Sequence, residues 1–200
     1  MPAGVRYRDG MKAMILAAGL GTRLRPLTLE LPKPLVWVGD RPAIAHVAER
    51  LVAAGIEDIV INTFHRAEAF SEGMLARVPG RLSIVTEAEI LGTGGGLANA
   101  KGLLGEGDVV VWNGDILAAL DVAALVGAHR GGATLAVAPR ARGEGTVGLG
   151  APLPGPERGP TDSNAASTLR GARVVRRRGE VFGEEVAGGD FLGISVVGEE

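Results

Sequence analysis

Hydrophobic positions along the chain fall into short solid runs separated by stretches of helical spacing. The runs at 11–16, 58–63, 82–86, 108–112, 133–138 and 191–197 are short and predominantly apolar and predict strands. Residues 43–54 place Ile44, Val47, Ala48 and Leu51 at spacings of three and four. That spacing predicts a helix entered at Pro42, after Asp40, and ended by Gly55. Helices are also predicted over 66–78 and 97–104, and from a cap at Asp121 to about His129. Strand and helix alternate at the spacing of β-α-β units. The predicted fold class is therefore α/β, a doubly wound and largely parallel sheet with helices on both faces.

After Pro139 the pattern changes. Residues 140–168 are rich in glycine and proline and are expected to form a flexible excursion, not a second domain. Residues 169–178 and 180–182 read as a hairpin turning at Gly179. Residues 1–10 carry no periodic pattern and are expected to be an N-terminal extension, which leaves 11–200 as a single domain without internal repeats.

Composition narrows the function classes. Two hundred residues with 46% hydrophobic content suffice for one buried core. A net charge of −2 gives no footprint for nucleic acid or a membrane surface. The absence of cysteine excludes disulfides, zinc-thiolate sites and thiol nucleophiles. The apolar stretch near the start is short and broken by glycine, so neither a leader nor a membrane span is expected, and the expected location is cytoplasmic. His46, His65 and His129 share no metal-ligand spacing and are expected to be structural. No G-x-S-x-G elbow is present to support covalent acyl chemistry. The pattern does not specify an oligomeric state.

The most informative run is Leu16-Ala17-Ala18-Gly19-Leu20-Gly21-Thr22-Arg23-Leu24-Arg25-Pro26-Leu27-Thr28, followed by Leu31-Pro32-Lys33-Pro34-Leu35. It begins where the first apolar strand ends. Small residues let the backbone turn tightly, and its converging N–H groups form an anion-binding concavity. Arg23, Arg25 and Lys33 add positive charge, so the run reads as a polyphosphate cradle. The plainer alternative is a glycine-rich turn with solvated arginines. The run has no Gly-Lys-Ser/Thr ending, and Leu24 stands where a dinucleotide fingerprint needs its third glycine.

Two further stretches should open on the same sheet edge, because in such sheets ligands bind beyond the carboxyl ends of the strands. Asn113-Gly114-Asp115 ends the fourth strand. A carboxylate beside a triphosphate suits Mg²⁺, which takes one or two carboxylates plus phosphates and waters. The alternative for Asp115 is a turn residue capping the next helix. Residues 87–96 follow the third strand, and there Gly94, Gly95 and Gly96 would let a flat ring lie on bare backbone, with Glu87 as a neighbour.

Together these residues resemble the sugar-1-phosphate nucleotidyltransferases, the NDP-sugar pyrophosphorylases. The resemblance rests on L-A-A-G-x-G-T-R-L-x-P-L-T with P-K-P-L shortly after, and on the G-D pair. It implies a Rossmann-like sheet of the nucleotidyltransferase type, an NTP and a sugar 1-phosphate as partners, Mg²⁺ as cofactor, and release of pyrophosphate. It also implies roles. Leu16, Ala17, Ala18, Gly19, Gly21, Thr22 and Arg23 would bind the nucleotide with Gly94, Gly95, Gly96 and Asn113. Arg23 would stabilise departing pyrophosphate, Lys33 would bridge the α-phosphate and the sugar phosphate, and Asp115 would hold the metal. Gly148 is similar to a sugar-contacting glycine, with a plain loop glycine as the equal alternative.

Within the family, the base loop, the N-G-D-I stretch and Phe191-Leu192-Gly193-Ile194-Ser195-Val196-Val197 look most like N-acetylmuramate 1-phosphate uridylyltransferases. The loop also resembles heptose and mannose 1-phosphate guanylyltransferases. UTP is therefore the favoured nucleotide and GTP the next. The family's second metal aspartate and its Glu-Lys-Pro motif have no match, and Asp190 stands in a different context, so the domain is expected to lack its C-terminal end. The alternatives are a weakly active nucleotide-binding module or truncated enzyme, and a cytidylyltransferase for a small alcohol phosphate.

Overall fold

A computed structural model describes residues 10–152, 172–181 and 183–198. In chain order the strands are β1 (Lys12–Leu16), the short pair β2 (Trp37–Val38) and β3 (Arg41–Pro42), β4 (Asp58–Thr63), β5 (Arg81–Thr86), β6 (Val109–Asn113), β7 (Ala133–Arg140), β8 (Val147–Pro152), β9 (Ala172–Arg177), β10 (Glu180–Val181) and β11 (Ala187–Val197). The helices are α1 (Ala43–Ala53), α2 (Glu72–Leu75), α3 (Gly92–Leu104) and α4 (Val122–Ala128).

The sheet is organised around β1, which pairs in parallel with β4 on one side and β6 on the other. β5 extends the parallel set beyond β4. These four strands thus run in one direction and end at one edge. Beyond β6 the sheet continues antiparallel through β11, which also pairs with β7 and β8, and then through β9 and β10.

Both faces of β1, β4 and β6 are covered, which is why these strands read as apolar runs, while the edge strand β5 is largely exposed. Ala13, Ile15, Ile59, Ile61, Val110 and Trp112 face one side and pack with Ile44, Val47, Ala48 and Leu51 of α1 and with Val122 and Leu125 of α4. Met14, Val60, Val109 and Val111 face the other side and meet Ala100 and Leu104 of α3. At the opposite end of β4 and β5, Asp58 and Arg81 stand in register. The Arg81 guanidinium donates to both carboxyl oxygens at 2.8 and 3.0 Å, which holds the Asp58 carboxyl below its usual pKa.

Several elements differ from expectation. The helix expected over 66–78 is a 3₁₀ turn, Ala67–Ala69, and the four-residue α2, interrupted where Phe70 turns into the core. The chain already leaves helical geometry at Arg66, whose φ is 55°. α3 starts at Gly92, not at 97, because its buried stripe of Gly96, Ala100 and Leu104 packs on the sheet despite the glycines. Part of the expected excursion is ordered as β8, with Val147 buried. Residues 1–9 of the expected extension and 153–168 of the excursion lie outside the described residues. The hairpin at Gly179 forms as β9 and β10, while residues 169–171 and 182 of that prediction also lie outside. The last strand begins at Ala187, four residues before the predicted start.

Ile44 is fully buried between α1 and the sheet. Ile44→Ala is expected to destabilise the chain by about 2–5 kcal/mol in urea unfolding, the range for deleting a large core aliphatic.

Candidate active site

The C-terminal ends of β1, β4, β5 and β6 meet at one edge, and there the structure has a cavity of about 330 Å³. Its wall includes Leu16 at the end of β1, Ala17, Ala18, Gly19, Gly21, Thr22 and Arg23 after it, then Lys33, then Asn113 at the end of β6 and Asp115 just beyond. These residues are brought together from three separate stretches of sequence.

The loop after β1 is held from below. Gly21 has φ +61°, a conformation that costs an L residue roughly 1–2 kcal/mol. Thr28 is buried beneath it and donates its hydroxyl to the Gly21 carbonyl at 2.8 Å. A Cβ on Gly21 would lie 2.9 Å from the Thr28 methyl. His65 Nε2 in turn donates to the Thr28 carbonyl at 3.0 Å, which is its structural role. His46 and His129 likewise bond to protein groups, the Val38 carbonyl and the Thr134 hydroxyl.

The Pro-Lys-Pro-Leu stretch works by anchoring. Pro32, Pro34 and Leu35 are buried, and Leu35 joins the main core. Lys33 sits at the start of the resulting 3₁₀ turn, Lys33–Leu35, and reaches into the cavity. Its ammonium pairs with Asp115 Oδ2, each side chain being 29% exposed. Asp115 can approach because Gly114 donates to the Leu16 carbonyl at 2.9 Å. A Cβ on Gly114 would fall 3.0 Å from Ile15 and 3.1 Å from the Leu16 carbonyl oxygen. Trp112, fully buried, donates Nε1–H to the Ile116 carbonyl at 2.9 Å and fixes the chain just beyond Asp115. Arg23 is exposed and carries no ion pair among the described residues. The Asp121 carboxylate accepts from the Ala124 N–H at 2.9 Å, so the capping role belongs to Asp121 and not to Asp115.

Two placements differ from the expected loops. Gly94, Gly95 and Gly96 are not in a loop but within α3, and the cavity wall is formed instead by Gly92 and Thr93 at its first turn. Gly148 lies on β8, opposite Gly188 of β11, and is not part of the cavity wall, because β8 joins the sheet beyond β11. Sequence reasoning also missed Asn62 and gave Glu87 only as a neighbour, yet both line the cavity. Their signal was a polar residue closing an apolar strand, Asn62 near the end of β4 and Glu87 just after β5.

The chemistry available is that of an anion site. A glycine-bearing turn and two cations face the first turn of a 13-residue helix across a small, partly enclosed space. Gly21→Ala is expected to lower stability by about 1–2 kcal/mol. Gly19→Ala, with nothing within 4 Å of its Cβ position, is expected to be nearly neutral in the same urea titration.

Comparison with known proteins places this geometry. Residues 12–144 match the nucleotidyl transferase family profile. A mannose-1-phosphate guanylyltransferase of Mycobacterium tuberculosis is 41% identical over 120 residues, 59% of this chain and 33% of that protein. An N-acetylmuramate alpha-1-phosphate uridylyltransferase of Caulobacter vibrioides is 46% identical over 108 residues, 52% of this chain and 45% of that protein. The chain thus spans a third to under half of the length of these relatives. UTP-bound UGPase from Acinetobacter baumannii superposes with a TM-score of 0.66 at 24% identity, covering 94% of this chain and 74% of that one. HddC from Yersinia pseudotuberculosis, complexed with GMP-PN, gives 0.65 at 21% identity, covering 94% and 76%. These likenesses show a shared fold, and among the described residues no helix is long and apolar enough to cross a membrane. The chain belongs to the nucleotidyl transferase family.

Proposed function

We propose that the chain transfers a nucleoside monophosphate from UTP or GTP to a sugar 1-phosphate. A phosphate oxygen of the sugar attacks the α-phosphorus, the bond from that phosphorus to the α–β bridging oxygen breaks, and pyrophosphate leaves. The observation that carries this reading is the placement of Lys33 and Asp115 together in one cavity with the glycine loop and Arg23. UTP and GTP are the nucleotides implied by the names of the two relatives above, a uridylyltransferase and a guanylyltransferase.

The nucleophile is already an anion at neutral pH, so the chemistry needs no strong base. The obstacle is repulsion between two polyanions, and catalysis comes from neutralising charge and aligning reactants. Backbone amides of Gly19, Gly21 and Thr22 hold the terminal phosphates. Arg23 stabilises the departing pyrophosphate. Lys33, released from Asp115, bridges the α-phosphate and the sugar phosphate. Holding both reactants in line contributes roughly 7–11 kcal/mol in well-oriented systems. The base lies toward Gly92 and Thr93.

The residues fit a magnesium ion that arrives with the nucleotide. Asp115 presents a carboxylate in the cavity, while no group of three or more acidic or histidine side chains is poised to hold a metal among the described residues. That donor set matches Mg²⁺, which combines one or two carboxylates with phosphates and waters. When bound, the ion would supply further neutralisation of the phosphates.

The test is pyrophosphate release with UTP, GTP, dTTP, CTP and ATP crossed with a panel of sugar 1-phosphates. One pair is expected to give turnover that needs magnesium. Arg23→Ala, Lys33→Ala and Asp115→Asn are each expected to lower it by about 100- to 1,000-fold, the cost of one well-placed electrostatic contact, in a chain that stays folded. Near-normal turnover in any of the three would remove that residue from the mechanism. Silence across the panel in a chain that still binds nucleotide would favour a binding module.

A further inference from the structure

Beneath the cavity a line of hydrogen bonds crosses three adjacent strand ends. The Ala17 N–H, after β1, donates to Asn62 Oδ1 at 2.9 Å. Asn62 Nδ2, near the end of β4, donates to Glu87 Oε1 at 2.6 Å. Glu87 Oε2, after β5, accepts the Leu91 N–H at 3.1 Å. Asn62 is 3% exposed and Glu87 4% exposed, so the line is nearly dry. Its direction is fixed by chemistry. An N–H can only donate and a carboxylate only accepts, so the Asn62 amide has one possible orientation.

Gly96 is shaped to this line. A Cβ there would fall 2.9 Å from both Asn62 Nδ2 and Glu87 Oε1. The buried strand-facing stripe of α3 therefore begins with a bare residue where the polar pair passes. The two ends of the line are informative. Ala17 begins the glycine loop, and Leu91 immediately precedes Gly92 and Thr93. The loop and the helix start are thus tied across the floor of the cavity by side chains of β4 and the β5 end.

We propose that Asn62 and Glu87 are positioning residues that fix the distance between the phosphate loop and the first turn of α3, and so the length of nucleotide that fits between them. They act through the Ala17 and Leu91 backbones. A rigid strut of this kind keeps the cavity preorganised, which lowers the ordering cost of binding. The inference rests on the nucleotide-binding reading above.

The test exploits the polarity of the strut. Asn62→Asp sets two carboxylates against each other, and Glu87→Gln leaves one contact facing donor to donor. The double variant N62D/E87Q restores every bond with the amide and carboxylate exchanged. Two quantities are measured in each protein: the dissociation constants of UTP and GTP, and hydrogen exchange of the Ala17 and Leu91 amides. Each single variant is expected to weaken nucleotide binding by about tenfold or more, the consequence of leaving a buried polar group unpaired. Both amides are expected to exchange faster in the single variants. The double variant is expected to recover most of both losses, which a general loss of packing would not produce.

Single variants that bind as tightly as the parent overturn the proposal, and so does a double variant no better than the singles. If a single variant does not fold, the double variant alone decides, since it must fold and bind. A parent chain that binds neither nucleotide, while its amides are protected and respond as expected, removes the nucleotide reading and leaves only a structural strut.

Discussion

The site depends on one constraint, the parallel pairing of β1 between β4 and β6. Parallel strands end on the same edge, so whatever follows each of them is delivered to one place. The register brings Leu16 opposite Asn62 on one side and Asn113 on the other. All three residues line the cavity. Without this pairing the glycine loop, Glu87 and Asp115 would be strung out along the chain from Gly19 to Asp115 with no reason to meet.

The pairing is secured by burial on both faces, and the polar chemistry sits where burial stops. Trp112 is fully buried, Asn113 is half-buried and Asp115 is open to the cavity within three residues. The same transition runs from Ile15 to Gly19. Lys33 arrives differently, through a turn locked by its buried neighbours Pro34 and Leu35. Its pairing with Asp115 keeps two charges from standing uncompensated in a partly enclosed space, where each alone would be costly. The arrangement leaves both groups available once an anionic ligand competes for the lysine.

Much of this was legible in the sequence. Solid apolar runs identified β1, β4 and β6 because two-sided burial leaves no room for alternation. The helix α1 was legible from Ile44, Val47, Ala48 and Leu51. The residues after the strands were legible as chemistry because glycines, arginines and a lone aspartate have little to do in a core. The failures have physical causes as well. Four glycines at 92 and 94–96 have weak helical propensity, and the start of α3 comes from packing of Gly96, Ala100 and Leu104 on the sheet, which overrides it. Their spacing of four was the available signal. The region 66–78 has helical periodicity, but burying both Phe70 and Val78 in one core breaks it into two turns. β8 was hidden by its glycines, although Val147 and Leu149 alternate as a strand requires. The Asn62–Glu87 bond joins residues 25 apart and could be seen only once β4 and β5 were side by side.

The central claim is that the β1 loop, the start of α3 and the end of β6 form one nucleotide site. Backbone amide shifts recorded while GTP or UTP is added with magnesium test it most directly. The account predicts that Gly19, Gly21, Thr22, Thr93 and Asp115 shift together along one binding curve, while residues beside α1 at 116–119 stay still. Binding that moves the 116–119 segment and leaves the β1 loop unchanged would contradict it.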